Sequence, residues 1–291
     1  MHWSGDSGCT FEDMACALRS GLSFGLSGFT FWSNDVGGFC GAPSDELYVR
    51  WTAWSIFNSH MRLHGGPPRY REPWNFSPET QRIFRELVGL RYRLIPYLYA
   101  ESKTSAREGL PVLRHLAFEF QEDPTSWNID DQFMFGESIM VAPILSEKNT
   151  RNVWIPPGVW FNAWDGEKIE GPRWIQVTAE LDKVPFYYRA GHAVIMGPDI
   201  RYVDEKTEPI TIKIFPDENG RSIKKIEDDK GSINIETIIS GNTARISVSG
   251  PARDYIFEIY GADSIEKIEV NGKETSDIKT SKSNKVAKFS S

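Results

Sequence analysis

The sequence predicts an α/β portion followed by an all-β portion, and three observations carry that reading. Helical and strand-like patterns alternate over roughly the first 120 residues, which implies βα units, a parallel sheet and functional groups at the C-terminal strand ends. After about Gln132 the pattern changes to short apolar strands separated by turn residues. All ten tryptophans fall between Trp3 and Trp174, so the two ends of the chain are built differently.

The elements follow in order. Phe11–Ser20, FEDMACALRS, reads as a helix with acids in its first turn, an arginine in its last, and Gly21 placed to end it. Gly28–Trp32, GFTFW, is a strand running into the polar, glycine-rich SNDVGG. Leu47–Phe57 is a second helix, with Trp51, Trp54 and Phe57 at core spacing. Ser59–Leu63 is a short strand that ends at His64-Gly65-Gly66. A longer helix starts at Ser77-Pro78, a cap followed by a proline in the first helical position, and Pro96 is expected to kink or interrupt it. Beyond Gln132, SIMVAPIL, VWIPPGVWFNAWDG and VPFYYRAGHAVIM suggest a small β-sandwich. From Pro209, alternating runs such as Ile210, Ile212 and Ile214 suggest a second one. The Lys-, Ser- and Thr-rich tail from Lys273 is expected to fray.

Composition narrows function. Of 291 residues, 40% are hydrophobic and 25% charged, as in ordinary globular proteins. A net charge of −7 argues against nucleic acid as a partner. No run approaches the roughly 20 apolar residues of a membrane span, so no membrane partner is expected. The cysteines Cys9, Cys16 and Cys40 are odd in number, lack C-x-x-C spacing and have no base at a useful local distance. A reducing, cytoplasmic setting fits, and a thiol nucleophile does not.

Four stretches could carry chemistry. Asp6, in WSGDS, is either a general acid or ligand contact beside the flat face of Trp3, or the cap of the helix near Phe11. Asp35, at a strand end before Gly37-Gly38, either meets a ligand or forms an Asx turn with Asn34. Phe39 is the loop aromatic placed to meet a ligand, and His64 stands before two glycines that leave a pocket open. His60 and His64 are four apart but lack the intervening glutamate of a zinc protease helix, so no metal is expected, and no cofactor. These residues make a cluster compatible with a sugar, which taken alone leaves the reaction open; Asp6 and Asp35 could pair as acid and nucleophile.

The segments HWSGDS, GLSFGLSGFTFWSNDVGGF, RLHG after SH, EPW, FGESIMVAPIL, VWIPPGVWFNAWDG and VPFYYRAG occur in the order found in glycoside hydrolase family 31, and over roughly residues 1–197 the chain closely resembles that family of α-glucosidases and α-xylosidases. SHxRLHG before EPW looks more like the α-xylosidases. The resemblance implies the C-terminal part of a (β/α)8 TIM barrel over residues 1–120, a proximal β-sandwich over 121–205 and a distal one over 206–291. It implies that Asp6 is the catalytic acid/base of a retaining hydrolase and that Trp3, Asp35, Phe39 and His64 bind substrate, with Asp35 as a ligand contact in place of a nucleophile. The nucleophile of such enzymes sits in a WxDxNE-like motif, which this sequence lacks. The expected partners are therefore an oligosaccharide substrate, an N-terminal portion of the same enzyme, and, as an open alternative, a second copy of the chain. A non-catalytic carbohydrate-binding or assembly role is the competing expectation.

Overall fold

The structure is a computed structural model that describes residues 2–203, 205, 208–275, 278–281 and 284–290. The chain divides into two compact units, one of Met1–Arg91, Thr104–Pro157 and Pro172–Phe186, the other of Tyr92–Lys103, Gly158–Gly171 and Tyr187–Ser291.

In the first unit, β1 (His2–Trp3) pairs in parallel with β2 (Trp32–Ser33), and parallel bridges join Asp35 to Arg62 and Gly41 to Pro68. The expected strand at Ser59–Leu63 is reduced to that single bridge at Arg62. Between β1 and β2 runs α1 (Phe11–Leu26), which passes straight through the expected stop at Gly21. Gly21 is there for space: a Cβ would stand 2.5 Å from Nε1 of the buried Trp32. The cap of α1 is Thr10, paired with Asp13 in a capping box, so Asp6 does not serve as the cap. The second helix, α2 (Asp45–Ser55), is capped by Ser44 and puts Trp51 and Trp54 fully into the core. Its buried Arg50 donates to the carbonyls of Ala179 and Glu180, both at 3.0 Å. The third helix, α3 (Pro78–Glu108), begins with Ser77 and Pro78 as the sequence predicts and ends at Gly109 in the left-handed conformation.

Beyond α3, the fully buried strands β3 (Leu113–His115), β4 (Phe133–Phe135) and β5 (Ile139–Val141) form an antiparallel ladder. Two long strands, β6 (Thr150–Asn162) and β7 (Lys168–Thr178), each contribute residues to both units.

In the second unit, β8 (Phe186–Arg189) contributes Tyr187–Arg189, which pair with the end of β6. Two five-stranded sheets follow. One contains β9 (His192–Met196), β10 (Ile210–Phe215), β14 (Asp254–Tyr260), β17 (Ile278–Ser281) and β18 (Asn284–Ser290). The other contains β11 (Arg221–Asp228), β12 (Gly231–Ser240), β13 (Thr243–Ser249), β15 (Lys267–Val270) and β16 (Lys273–Glu274). Each holds one parallel pair, β10 with β14 and β13 with β15. Parallel neighbours need a crossover, and each crossover here runs through the other sheet, which laces the two together. The strand β9 lies before residue 205, yet it pairs along its whole length with β10 and belongs to this later sheet. Pro96 does not interrupt α3. The backbone around it is supported by Gly197, whose N–H donates to the Arg93 carbonyl at 2.7 Å.

Candidate functional site

The four stretches singled out above meet in the first unit, where β1, β2 and Arg62 bring three loops to one side of the parallel pairing. The first loop carries Asp6. Its side chain is exposed, while its backbone is fastened: the Ser7 carbonyl accepts from the N–H groups of Phe39 and Cys40, both at 2.9 Å. Gly38, at φ +77°, allows this close approach, because a Cβ there would overlap the Gly8 carbonyl.

The second loop carries Asp35 and Phe39. No Asx turn forms at Asn34-Asp35. Asn34 instead accepts from Trp51 Nε1 at 2.7 Å and Ser55 Oγ at 2.9 Å, fixing the loop to α2. The Asp35 side chain is 0% exposed, and its Oδ1 accepts from Arg62 Nε at 2.5 Å. The carboxylate is thus enclosed by the fold and lies directly against a guanidinium. Its route to the surface is Arg62, which is 38% exposed and lies 5.3 Å from the Trp3 ring centroid.

The third loop carries His64, whose exposed ring packs on Phe39 with centroids 5.1 Å apart. Gly66 N–H donates to the Phe39 carbonyl at 3.0 Å, so the second and third loops are joined by backbone as well. His60 faces elsewhere, against Phe31 and Ser59. Among the described residues no group of three His, Cys, Asp or Glu could hold a metal.

Arg62 escaped sequence reasoning even though it lies inside RLHG, because a charge beside a histidine reads as a solvated neighbour until its partner, 27 residues upstream, is known. Together the loops offer an exposed carboxyl, an indole face 48% exposed, a guanidinium and an imidazole against a phenyl ring. Such a set can donate a proton, stack on a pyranose and bond its hydroxyls.

Comparison with known proteins extends this picture. Residues 1–101 match the family model of the glycosyl hydrolases family 31 TIM-barrel domain, and residues 109–194 match that of the family 31 C-terminal domain. An α-xylosidase of Emericella nidulans is 38% identical over 216 residues, 72% of this chain and 27% of that protein. Alpha-glucosidase 2 of Bacillus thermoamyloliquefaciens is 30% identical over 290 residues, 94% of this chain and 37% of that protein. Among solved structures, a family 31 dextranase of Flavobacterium johnsoniae complexed with glucose superposes with a TM-score of 0.89 at 26% identity, over 99% of this chain and 42% of that one. The chain spans about a third of the length of the curated relatives it matches.

Proposed function

The chain belongs to glycosyl hydrolase family 31, and on that premise we propose that it is the acid/base-bearing portion of a retaining α-glycosidase that releases terminal α-linked xylose from oligosaccharides. The observation that carries this is the convergence of the Asp6, Phe39 and His64 loops beside Trp3 and Arg62. In architecture, the early part of the chain is the last part of a (β/α)8 barrel, followed by a proximal sandwich that begins with β3 and a distal one whose sheets take β9 as well as the strands beyond residue 206. The parallel order of residues 2–3, 32–35 and 62 supports the first of these.

In this mechanism Asp6 protonates the leaving glycosidic oxygen as a carboxylate attacks the anomeric carbon, then activates the water that hydrolyses the glycosyl-enzyme. The attacking carboxylate must stand about 5–5.5 Å from Asp6. With Asp35 committed to Arg62 and no WxDxNE-like segment in the sequence, it comes from outside these 291 residues, in an N-terminal portion of the enzyme. Trp3 and Phe39 wall the sugar, His64 bonds a hydroxyl, and Asp35 acts on the ligand through Arg62.

The test is hydrolysis of p-nitrophenyl α-xyloside by the chain joined to such an N-terminal portion. Turnover should fall by about 10²–10⁴ in Asp6→Asn. Turnover by the 291 residues alone would overturn the divided site. The relative of α-glucosidase name, matched over 94% of this chain, favours a second reading with α-linked glucose as the substrate. A higher kcat/KM on the α-glucoside than on the α-xyloside would select it.

A further inference from the structure

Resting on the reading that Asp6, Phe39 and His64 face a sugar, we propose that Arg71 is a positioning residue that sets the three loops carrying them. Its side chain is 1% exposed, so it acts through its neighbours and does not itself reach a ligand. A buried guanidinium must find acceptors for its five donors or destabilise the fold. Arg71 finds them on the catalytic loops. Nε donates to the Gly38 carbonyl at 2.8 Å, and Nη2 to the carbonyls of Phe39 at 3.2 Å and Gly41 at 3.0 Å. One cation thus takes the backbone on both sides of the Phe39 ring.

The same Nη2 lies 3.1 Å from Cys9 Sγ, on the Asp6 loop, and Nη1 bonds the Arg69 carbonyl. Burial pushes the Cys9 thiol up, outweighing the pull of Arg71, so the sulfur meets the cation as a neutral acceptor. The third loop is reached by shape. A Cβ on Gly65 would stand 2.7 Å from both Cγ and Cζ of Arg71, so the bare backbone beside His64 is the slot the guanidinium occupies. Arg71 is itself held, because Tyr48 on α2 donates to its carbonyl at 2.7 Å.

The geometry gives a reason for arginine at this position. A lysine carries its three donors on one nitrogen and cannot reach the Gly38, Phe39 and Gly41 carbonyls from the two positions that Nε and Nη2 of the planar fork occupy. Arg71→Lys should therefore loosen the Phe39 and Asp6 loops while leaving the charge in place.

The test uses the 291-residue chain with xylose as the calorimetric probe, and iodoacetamide as the probe of Cys9, read peptide by peptide in a mass spectrometer. Arg71→Lys, folded by circular dichroism, should weaken xylose binding about tenfold, the scale of loss expected when binding groups drift from register. It should also speed Cys9 alkylation several-fold. On a Phe39→Ala background the same change should cost xylose affinity much less, because the arginine acts through that ring. Full additivity of the two substitutions, or Cys9 alkylation unchanged in folded Arg71→Lys, overturns the proposal. A wild-type chain that binds no xylose sinks the sugar reading of the isolated chain alone, since the alkylation comparison still decides whether Arg71 sets the loops. If the arginine variants do not fold, Gly65→Ala removes no hydrogen-bonding group and evicts Arg71 from its slot. Alkylation unchanged in Gly65→Ala overturns the proposal equally.

Discussion

Along β10 and β12 every second residue is buried: Ile210, Ile212 and Ile214 on one, Ile233, Ile235 and Thr237 on the other. From Ser33 to Gly38 every residue is buried, polar ones included, and no period describes them. In the sheets the backbone satisfies its own donors and acceptors by ladder pairing, so a side chain need only have the right parity. In the loops after β2 that pairing is reduced to single bridges, and particular side chains supply what the ladder would: Asn34 for Trp51 and Ser55, Arg62 for Asp35, Arg71 for three carbonyls. Order in a sheet is thus spread over many exchangeable residues, and order in these loops rests on a few that are not.

The contrast breaks first where a sheet holds a charge. Lys224, on the buried side of β11, bonds Glu101 of α3 at 2.8 Å, with both side chains under 5% exposed. Glu101→Ala robs Lys224 of that carboxylate and should destabilise the chain by about 3–5 kcal/mol, the largest effect expected here. A denaturant titration reads this loss. The double variant Glu101→Leu/Lys224→Met should recover most of it, because parity and volume then suffice again. Next comes Gly38→Ala, which adds a Cβ against the Gly8 carbonyl at a positive φ and should cost at least about 2 kcal/mol. An equal loss from an alanine at the open, positive-φ Gly28 would show that strain alone, and not the approach of the Asp6 loop, makes Gly38 special. Gly21→Ala sets two effects against each other. Helix propensity favours alanine by about 1 kcal/mol, while pressing a Cβ against Trp32 and Leu113 costs about 1–3 kcal/mol. Packing should win by roughly 1 kcal/mol, visible as a lowered Tm.

The same division explains how much could be read in advance. The helix start at Ser77-Pro78, the core tryptophans of α2 and the alternation in β10 are local signals, and each is found where the pattern puts it. The errors arise where a distant partner overrides a local rule. Gly21 reads as a helix stop until Trp32 is known to fill the space above it, and Pro96 reads as a break until Gly197 is seen beside it. In the candidate site, Asp6, Phe39 and His64 were legible as small-residue loops bearing useful groups, and they come together. Arg62 and Arg71 were not, because an arginine committed to acceptors within the fold looks like a solvated one until those acceptors are placed.

A smaller effect sharpens the contrast at the edge of the loop region, where one side chain does the work of a ladder between two helix starts. Asp45 opens α2, and its carboxylate also accepts from Ser77 N–H at 2.9 Å and Thr80 Oγ at 2.8 Å at the start of α3, with Arg69 at 3.2 Å. Burial pushes its pKa up, but these hydrogen bonds and the arginine outweigh burial and hold it at about 2. The folded pKa lies below the unfolded value of about 3.9. Its contribution is therefore complete above pH 4 and lost as pH falls from 4 towards 2. The side chain is 35% exposed, so solvent screening reduces the effect to about 1 kcal/mol or less. Asp45→Asn should be less stable than the wild type by that amount at pH 7, with the difference in urea midpoint shrinking steadily between pH 4 and pH 2. A difference that stays constant over that range would mean that hydrogen bonding alone, and not charge, joins the two helix starts.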